Sequence, residues 1–318
     1  MTKTKVAVLD DYQNVTCKFA DWNTLSKKIE LKVFNKYIGK DIDLVNQLFD
    51  YEILCLMRER TPLPKELIDQ LPNLKLVITS GMWNASIDLI ALKKNNIICC
   101  GTETKINSTA ELAWALIMNS WRGLQVEIHN MKDGNWQTTI GRGLKGNTLG
   151  IFGLGKQGLQ VAGYAKAFGM KVIAWSHNLK QEDCEKVGVE YVSSADLFKM
   201  SDILTIHTKL SERTRGYIHK DNLKLMKKTS IIVNTSRGPI IKENDLIKAL
   251  NNNIISCAAL DVYDQEPLPR DHILRKTKNL ILTPHIGYVS EEAYEKFFNG
   301  YLKAIEGFIN KNPINQIP

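Results

Sequence analysis

The sequence predicts an α/β protein made of two open parallel-sheet units, and three observations carry that reading. Short apolar runs alternate with longer segments of helical spacing along most of the chain, the pattern of parallel strands covered on both faces. The alternation breaks once, at residues 108–146, and so falls into two series. The length, 318 residues, suits two domains of ordinary size.

The first series places strands at residues 6–9, 31–34, 53–57, 74–79 and 97–100, with helical spacing at 41–49 and 63–70. A long helix is expected over 108–126. Ala110, Ala113, Trp114, Ile117 and Trp121 recur there at helical spacing, and Ser108 with Glu111 reads as a capping box. Residues 127–146 are polar and contain glycine, with Trp136 among them. The second series places strands at 149–152, 171–175, 203–207, 230–234, 257–260 and 280–283. A last helix is expected over 291–309, free to pack back on the first unit. This gives one domain of residues 1–104 with 289–318 and another of residues 105–288. Hinges are expected near residues 103–105 and 288–292.

Composition narrows the class. The hydrophobic fraction is 44% and the charged fraction 24%, so the chain resembles neither a disordered segment nor a disulfide-stapled miniprotein. No apolar run approaches the roughly 18 residues a membrane span needs. Lys+Arg of 42 against Asp+Glu of 34 gives a net charge of +8. Lysine dominates that excess without forming a long block, so it reads as solvated surface, and neither a nucleic-acid nor a membrane partner is expected. The apolar stretch near the N-terminus is a strand's length, too short for a signal peptide. Cys17, Cys55, Cys99, Cys100, Cys184 and Cys257 form no C-x-x-C pair and read as reduced thiols. A cytoplasmic protein without a metal is expected.

Gly153-Leu154-Gly155-Lys156-Gln157-Gly158 fits G-x-G-x-x-G between a strand and a helix, the context of a dinucleotide loop in a Rossmann-type unit. Gly153 permits the tight turn, Gly155 the approach of a pyrophosphate, and Gly158 close helix–strand packing. The start of the helix, at Lys156 and Gln157, offers free N–H groups to the phosphates. The next strand ends in Ser176, His177 and Asn178 with Lys180 nearby, where an acidic residue would normally read the adenosine ribose. No carboxylate repels a 2′-phosphate there. NADP is therefore favoured over NAD. The first series has no such loop: Asp10, Asp11, Tyr12, Gln13 and Asn14 follow its first strand. The first unit is left for the substrate.

Three later strands end in polar motifs, and ligands of open α/β sheets bind beyond strand carboxyl ends. They are Thr235-Ser236-Arg237-Gly238, Asp261 through Glu266-Pro267, and Pro284-His285-Ile286-Gly287. Hydride transfer to a 2-oxo acid needs such a set. A planar cation holds the carboxylate, which suits Arg237. A group titrating near neutrality gives the carbonyl oxygen its proton, which suits His285. Glu266 would orient that ring and favour its protonated form.

With these motifs in this order, the chain resembles the D-isomer-specific 2-hydroxyacid dehydrogenase family, over nearly its whole length. The resemblance implies a dinucleotide domain, a flavodoxin-like substrate domain split in sequence, and a cleft between them. It implies an Arg237–Glu266–His285 catalytic set, with Asp261 near the nicotinamide end. It also implies that backbone amides after the fourth strand, at Ser80 and Gly81, hold the substrate carboxylate. Arg58 matches a basic substrate-side position, and Met82 and Trp83 are candidates to line an apolar pocket. Thr235 and Gly287 are cofactor candidates, with Thr109 and Thr208 as secondary cofactor contacts. The expected activity is reduction of a small 2-oxo acid such as glyoxylate or hydroxypyruvate, or the reverse. The rivals are 3-phosphoglycerate oxidation, for which Arg58 and Arg60 would supply cations, and a dinucleotide-sensing corepressor. Formate oxidation is disfavoured by Glu266, where that branch carries Gln. A homodimer through residues 108–146 is expected, as in related dehydrogenases.

Overall fold

The computed structural model describes residues 2–39, 41–103 and 107–318. They form two compact units, Met1–Ile106 with Val289–Pro318, and Asn107–Tyr288. The domain boundary read from the sequence at residues 104/105, and most of the first expected hinge, lie outside the described residues.

The first unit holds β1 (Thr4–Val8), β2 (Ile29–Val33), β3 (Ile53–Leu56), β4 (Leu76–Thr79) and β5 (Ile98–Gly101). Their order is β2-β1-β3-β4-β5 and every pair is parallel, the flavodoxin-like arrangement. β3 and β4 lie inside the sheet and are buried along their whole length, whereas β2, at the edge, exposes alternate residues. Short helices α1 (Thr16–Phe19), α2 (Asp41–Leu48), α3 (Lys65–Ile68) and α4 (Leu89–Lys94) connect them.

The C-terminal helix, Glu291–Ile309, belongs to this unit. Ser290 caps it by accepting from the Ala293 N–H. Its buried face carries Tyr294, Phe297, Phe298, Tyr301 and Ile305, spaced three and four apart. The Tyr301 hydroxyl donates to the Leu56 carbonyl at 2.9 Å, so this helix packs on β3. The tail then returns along β5, where Gly101 N–H donates to Asn315 and Ile317 N–H to Cys99. That pairing covers a sheet edge.

The second unit holds α5 (Ser108–Arg122), α6 (Leu124–Lys132), β6 (Thr148–Phe152), α7 (Lys156–Ala167), β7 (Lys171–Trp175), α8 (Gln181–Glu185), β8 (Glu190–Tyr191), α9 (Ser194–Met200), β9 (Ile203–Ile206), α10 (Lys220–Leu225), β10 (Ile231–Asn234), α11 (Glu243–Asn251), β11 (Cys257–Leu260) and β12 (Leu280–Leu282). The order β12-β11-β10-β9-β6-β7-β8, all parallel, is the Rossmann order with one strand added. The strand order reverses beside β6, between β9 and β7, where dinucleotides bind in such sheets. β8 has only two residues, both exposed, so no apolar run announced it.

Two expectations are corrected here. The single helix over 108–126 is two helices, because Gly123 takes φ 65° and ends α5 in a left-handed cap. The capping box is absent. Asn107 is the N-cap residue, Ser108 is already inside the helix, and the Ser108 hydroxyl is buried without a partner among the described residues. Ala110, Ala113, Ile117 and Trp121 do form the buried stripe. Among the described residues no helix is long and apolar enough to cross a membrane.

Candidate active site

β6 ends in the glycine loop. Gly153 has φ 102°, and a Cβ there would stand 2.8 Å from the His207 carbonyl carbon. A Cβ on Gly158 would stand 2.3 Å from the Gly153 oxygen, so α7 rests directly on the turn. Gly155 differs: nothing among the described residues lies within 4 Å of its Cβ position. It is the N-cap residue of α7, and no side chain caps that helix. The first-turn N–H groups therefore face open space with the positive end of the helix dipole behind them. Among the described residues, the Gln157 Oε1 and Thr235 Oγ1 atoms are buried without partners. An uncapped helix end and an open glycine fit a dinucleotide pyrophosphate, and the Thr235 hydroxyl is a further donor.

At the end of β7, Ser176 is half-buried and its carbonyl accepts from the Leu179 N–H at 3.2 Å. The His177 ring lies 4.9 Å from that of Trp175 and 5.1 Å from that of Tyr217. Burial, and then the Arg213 charge, hold His177 below its ordinary pKa. Both terminal nitrogens of Arg213 reach Asn178 Oδ1, at 3.3 and 3.4 Å. Arg213 was not singled out from the sequence. It lies in the loop after β9 with no motif around it, and only the fold brings it to Asn178.

β10 ends in Asn234, whose buried amide organises the next turn. Its Nδ2 donates to the Arg237 carbonyl at 2.9 Å, and its Oδ1 accepts from the Ser236 N–H at 3.0 Å. The Ser236 hydroxyl donates to the Thr208 carbonyl, tying the turn to the end of β9. Arg237 is half-buried, with Nη1 on the Ser236 carbonyl at 2.7 Å.

Asp261 follows directly on β11 and is fully buried. Its Oδ1 accepts from Thr283 Oγ1 at 2.6 Å and Ile286 N–H at 2.9 Å, and its Oδ2 from Gly287 N–H at 2.8 Å. Burial raises its pKa, and these donors and the His285 charge pull it back. Asp261 thus clamps both sides of His285, which holds φ 53°, a conformation that disfavours residues with a Cβ. His285 Nδ1 lies 2.5 Å from Glu266 Oε2, and Glu266 Oε1 accepts from the Tyr263 N–H at 2.9 Å. With Nδ1 engaged by the carboxylate, Nε2 is the nitrogen left to exchange a proton. His207, at the end of β9, is no rival. Burial pushes it down to about 4, so it is neutral near pH 7, and its Nε2 pairs with Thr205 Oγ1 at 2.9 Å.

In the first unit, Arg58 follows β3 at φ 52°. Its N–H donates to Ser80 Oγ at 2.8 Å and its Nη1 to the Ser80 carbonyl at 3.0 Å. Arg60 lies over the Tyr12 ring, 4.6 Å from its centroid, and donates to the Asp10 carbonyl at 2.6 Å. The expected amide grip at Ser80 and Gly81 needs correction. The Ser80 N–H is spent on the Leu56 carbonyl at 3.0 Å, and the Gly81 N–H on Thr102 Oγ1 at 2.9 Å. Gly81 takes φ 103°, and the chain continues into Met82 and Trp83, both exposed. Their N–H groups have no partner among the described residues.

A glyoxylate reductase from Aeropyrum pernix is 36% identical to this chain over 280 residues, 84% of this chain and 83% of that protein. A D-3-phosphoglycerate dehydrogenase from Methanocaldococcus jannaschii is 36% identical over 79% of this chain, a stretch that spans 48% of that longer protein. The crystal structure of a phosphoglycerate oxidoreductase from Vibrio cholerae O395 superposes with a TM-score of 0.91 at 33% identity, covering 97% of this chain and 99% of that one. The family model described as D-isomer specific 2-hydroxyacid dehydrogenase, NAD binding domain, matches residues 114–287. That match runs from within α5 to Gly287 and takes in the glycine loop, Arg237, Glu266 and His285: the chain belongs to the D-isomer specific 2-hydroxyacid dehydrogenase family.

Proposed function

We propose that this nicotinamide-dependent oxidoreductase reduces a small 2-oxo acid, of the size of glyoxylate or hydroxypyruvate, to the D-2-hydroxy acid, and runs the reverse reaction when the acid is in excess. The observation that carries the reading is the 2.5 Å contact of His285 Nδ1 with Glu266 Oε2, on a backbone clamped by Asp261.

The cofactor's pyrophosphate is assigned to Gly155 and the first turn of α7, with Lys156, Gln157, Thr208 and Thr235 around it. When bound, the nicotinamide supplies or accepts the hydride at substrate C2. The chain does the rest. His285 gives a proton from Nε2 to the carbonyl oxygen as negative charge develops there, or removes it from the hydroxyl in the reverse direction. The Glu266 carboxylate stabilises the imidazolium and fixes which nitrogen faces the substrate. Arg237 lies on a turn held by Asn234 and offers a planar cation to the substrate carboxylate or carbonyl oxygen. Arg58 and the amides of Met82 and Trp83, unpaired among the described residues, are the first unit's donors for the carboxylate rather than those of Ser80 and Gly81.

NADP is the preferred cofactor in this reading. Residues 176–180 carry no carboxylate, and Arg213 beside Asn178 adds a cation able to pair with a 2′-phosphate. The names of two compared proteins favour a second reading, oxidation of 3-phosphoglycerate, with Arg58 and Arg60 as the added cations.

A homodimer is also proposed, through α6 and the segment after it. α6 buries none of its residues, and Ile128, Met131, Trp136 and Ile140 are exposed, the last by 98%. An apolar group of that kind suits a second copy of the chain. Six free cysteines support a reducing compartment such as the cytoplasm.

The test is loss of nicotinamide absorbance with NADPH or NADH and glyoxylate, hydroxypyruvate, pyruvate and 3-phosphohydroxypyruvate. Turnover fastest with NADPH and an unphosphorylated oxo acid is expected. A clear preference for the phosphorylated acid establishes the second reading. Tight nucleotide binding with no turnover on any substrate overturns both and leaves the sensor.

A further inference from the structure

We propose that the Tyr263 hydroxyl makes Tyr263 a positioning residue, holding the His285 turn in register with Glu266 and with the Arg237 turn, both of which the Tyr263 backbone contacts. It touches every turn that carries a catalytic side chain, yet it has no part in the chemistry. This rests on the catalytic reading above.

Tyr263 is buried, 8% exposed, two residues after Asp261. Its N–H donates to Glu266 Oε1 at 2.9 Å. A carboxylate held through one oxygen loses its freedom to rotate, so Oε2 is delivered to His285 Nδ1. Its hydroxyl oxygen lies 2.7 Å from the Thr283 carbonyl and 3.1 Å from the Leu260 carbonyl. The shorter contact takes the proton. The Thr283 carbonyl is the same group that accepts the His285 N–H, at 3.0 Å, in the tight turn that puts the histidine at positive φ. Tyr263 therefore fixes the carboxylate through its backbone and the histidine's turn through its side chain.

The third contact is with Arg237. A Cβ on Gly238 would stand 2.1 Å from the Tyr263 carbonyl carbon and 2.4 Å from its oxygen. Glycine at 238 is what lets the Tyr263 backbone lie against the turn that carries Arg237. The charged groups facing the phenol are Asp261, Glu266 and Arg275, and those facing His285 are Glu266 and Asp261. Burial and the two carboxylates hold the phenol above its ordinary pKa, so it remains a donor at working pH.

Tyr263→Phe removes the hydroxyl and leaves the packing. The variant is compared with wild type for kcat, KM of the oxo acid, Kd of NADPH by fluorescence, and melting temperature. The expected result is a fall in kcat of about tenfold with KM and Kd unchanged within about twofold. Unchanged kcat overturns the proposal. So does a parallel loss of kcat, nucleotide binding and melting temperature, because that is the signature of a residue that merely supports the fold. His285→Ala, measured alongside, separates the two claims. If it keeps wild-type turnover, the catalytic reading fails. If it is inactive while Tyr263→Phe runs at full rate, only the role of Tyr263 fails.

Discussion

Gly155→Ala separates folding from nucleotide recognition, because the methyl group it adds meets nothing in the protein itself. No heavy atom lies within 4 Å of the new Cβ, and the backbone there, φ −85° and ψ −164°, is open to any L residue. Two stability effects oppose each other. Alanine is a poorer N-cap than glycine, by about 1 kcal/mol. It also restricts the unfolded chain, a gain of about 0.4–1 kcal/mol. The net change should lie within about 1 kcal/mol, a shift of no more than about 4 °C in Tm. The methyl nevertheless enters the space in front of the first turn of α7. Losing one charge-assisted hydrogen bond from that turn, at about 1.5–3 kcal/mol, weakens nucleotide binding by about tenfold or more. Gly163→Ala in the same helix is the control. It too meets nothing within 4 Å, and it should add about 1 kcal/mol of stability without altering Kd. The assay is a fluorescence titration with NADPH beside a thermal melt for each variant. Equal Kd values for wild type and Gly155→Ala would refute the placement of the pyrophosphate.

Other outcomes follow from the same structure. Ser176→Asp should shift preference towards NADH, and Arg213→Ala should weaken NADPH about tenfold while sparing NADH; cofactor ratios unchanged in both would show that the ribose is read elsewhere. His207 takes its proton near 6.5 when unfolded and near 4 when folded. Between those values the unfolded state binds more protons, so stability falls as pH drops through that window, by up to about 3 kcal/mol. Melts from pH 7.5 downward should therefore fall less steeply for His207→Gln than for wild type, and parallel slopes would contradict the assignment. Ile140→Asp should convert a dimer to a monomer by light scattering at micromolar concentration, whereas a wild type that is already monomeric removes the proposed interface.

The strands and the nucleotide loop were legible because their signals are local. Apolar runs such as those ending in Phe152, Asn234 and Leu260 are buried on both faces and need no partner to be recognised. The glycine loop was legible because strand, turn and helix lie within one stretch. What stayed hidden depends on neighbours distant in sequence. Arg213 reaches Asn178 only through the sheet, and Tyr263 reaches Thr283 across a strand pair. The amides of Ser80 and Gly81 looked available because their acceptors, Leu56 and Thr102, lie on neighbouring strands or just beyond them. The break at Gly123 was hidden for another reason. Residues on both sides favour helix, so only the backbone conformation of the glycine shows that the chain turns.

In the proposed reaction His285, oriented by Glu266, is the proton donor and acceptor. The most direct measurement is single-turnover reduction of the best oxo acid by His285→Ala with saturating NADPH, alongside its NADPH Kd. The expected rate is lower by about 10²-fold or more, with an unchanged Kd. A rate close to wild type would contradict it.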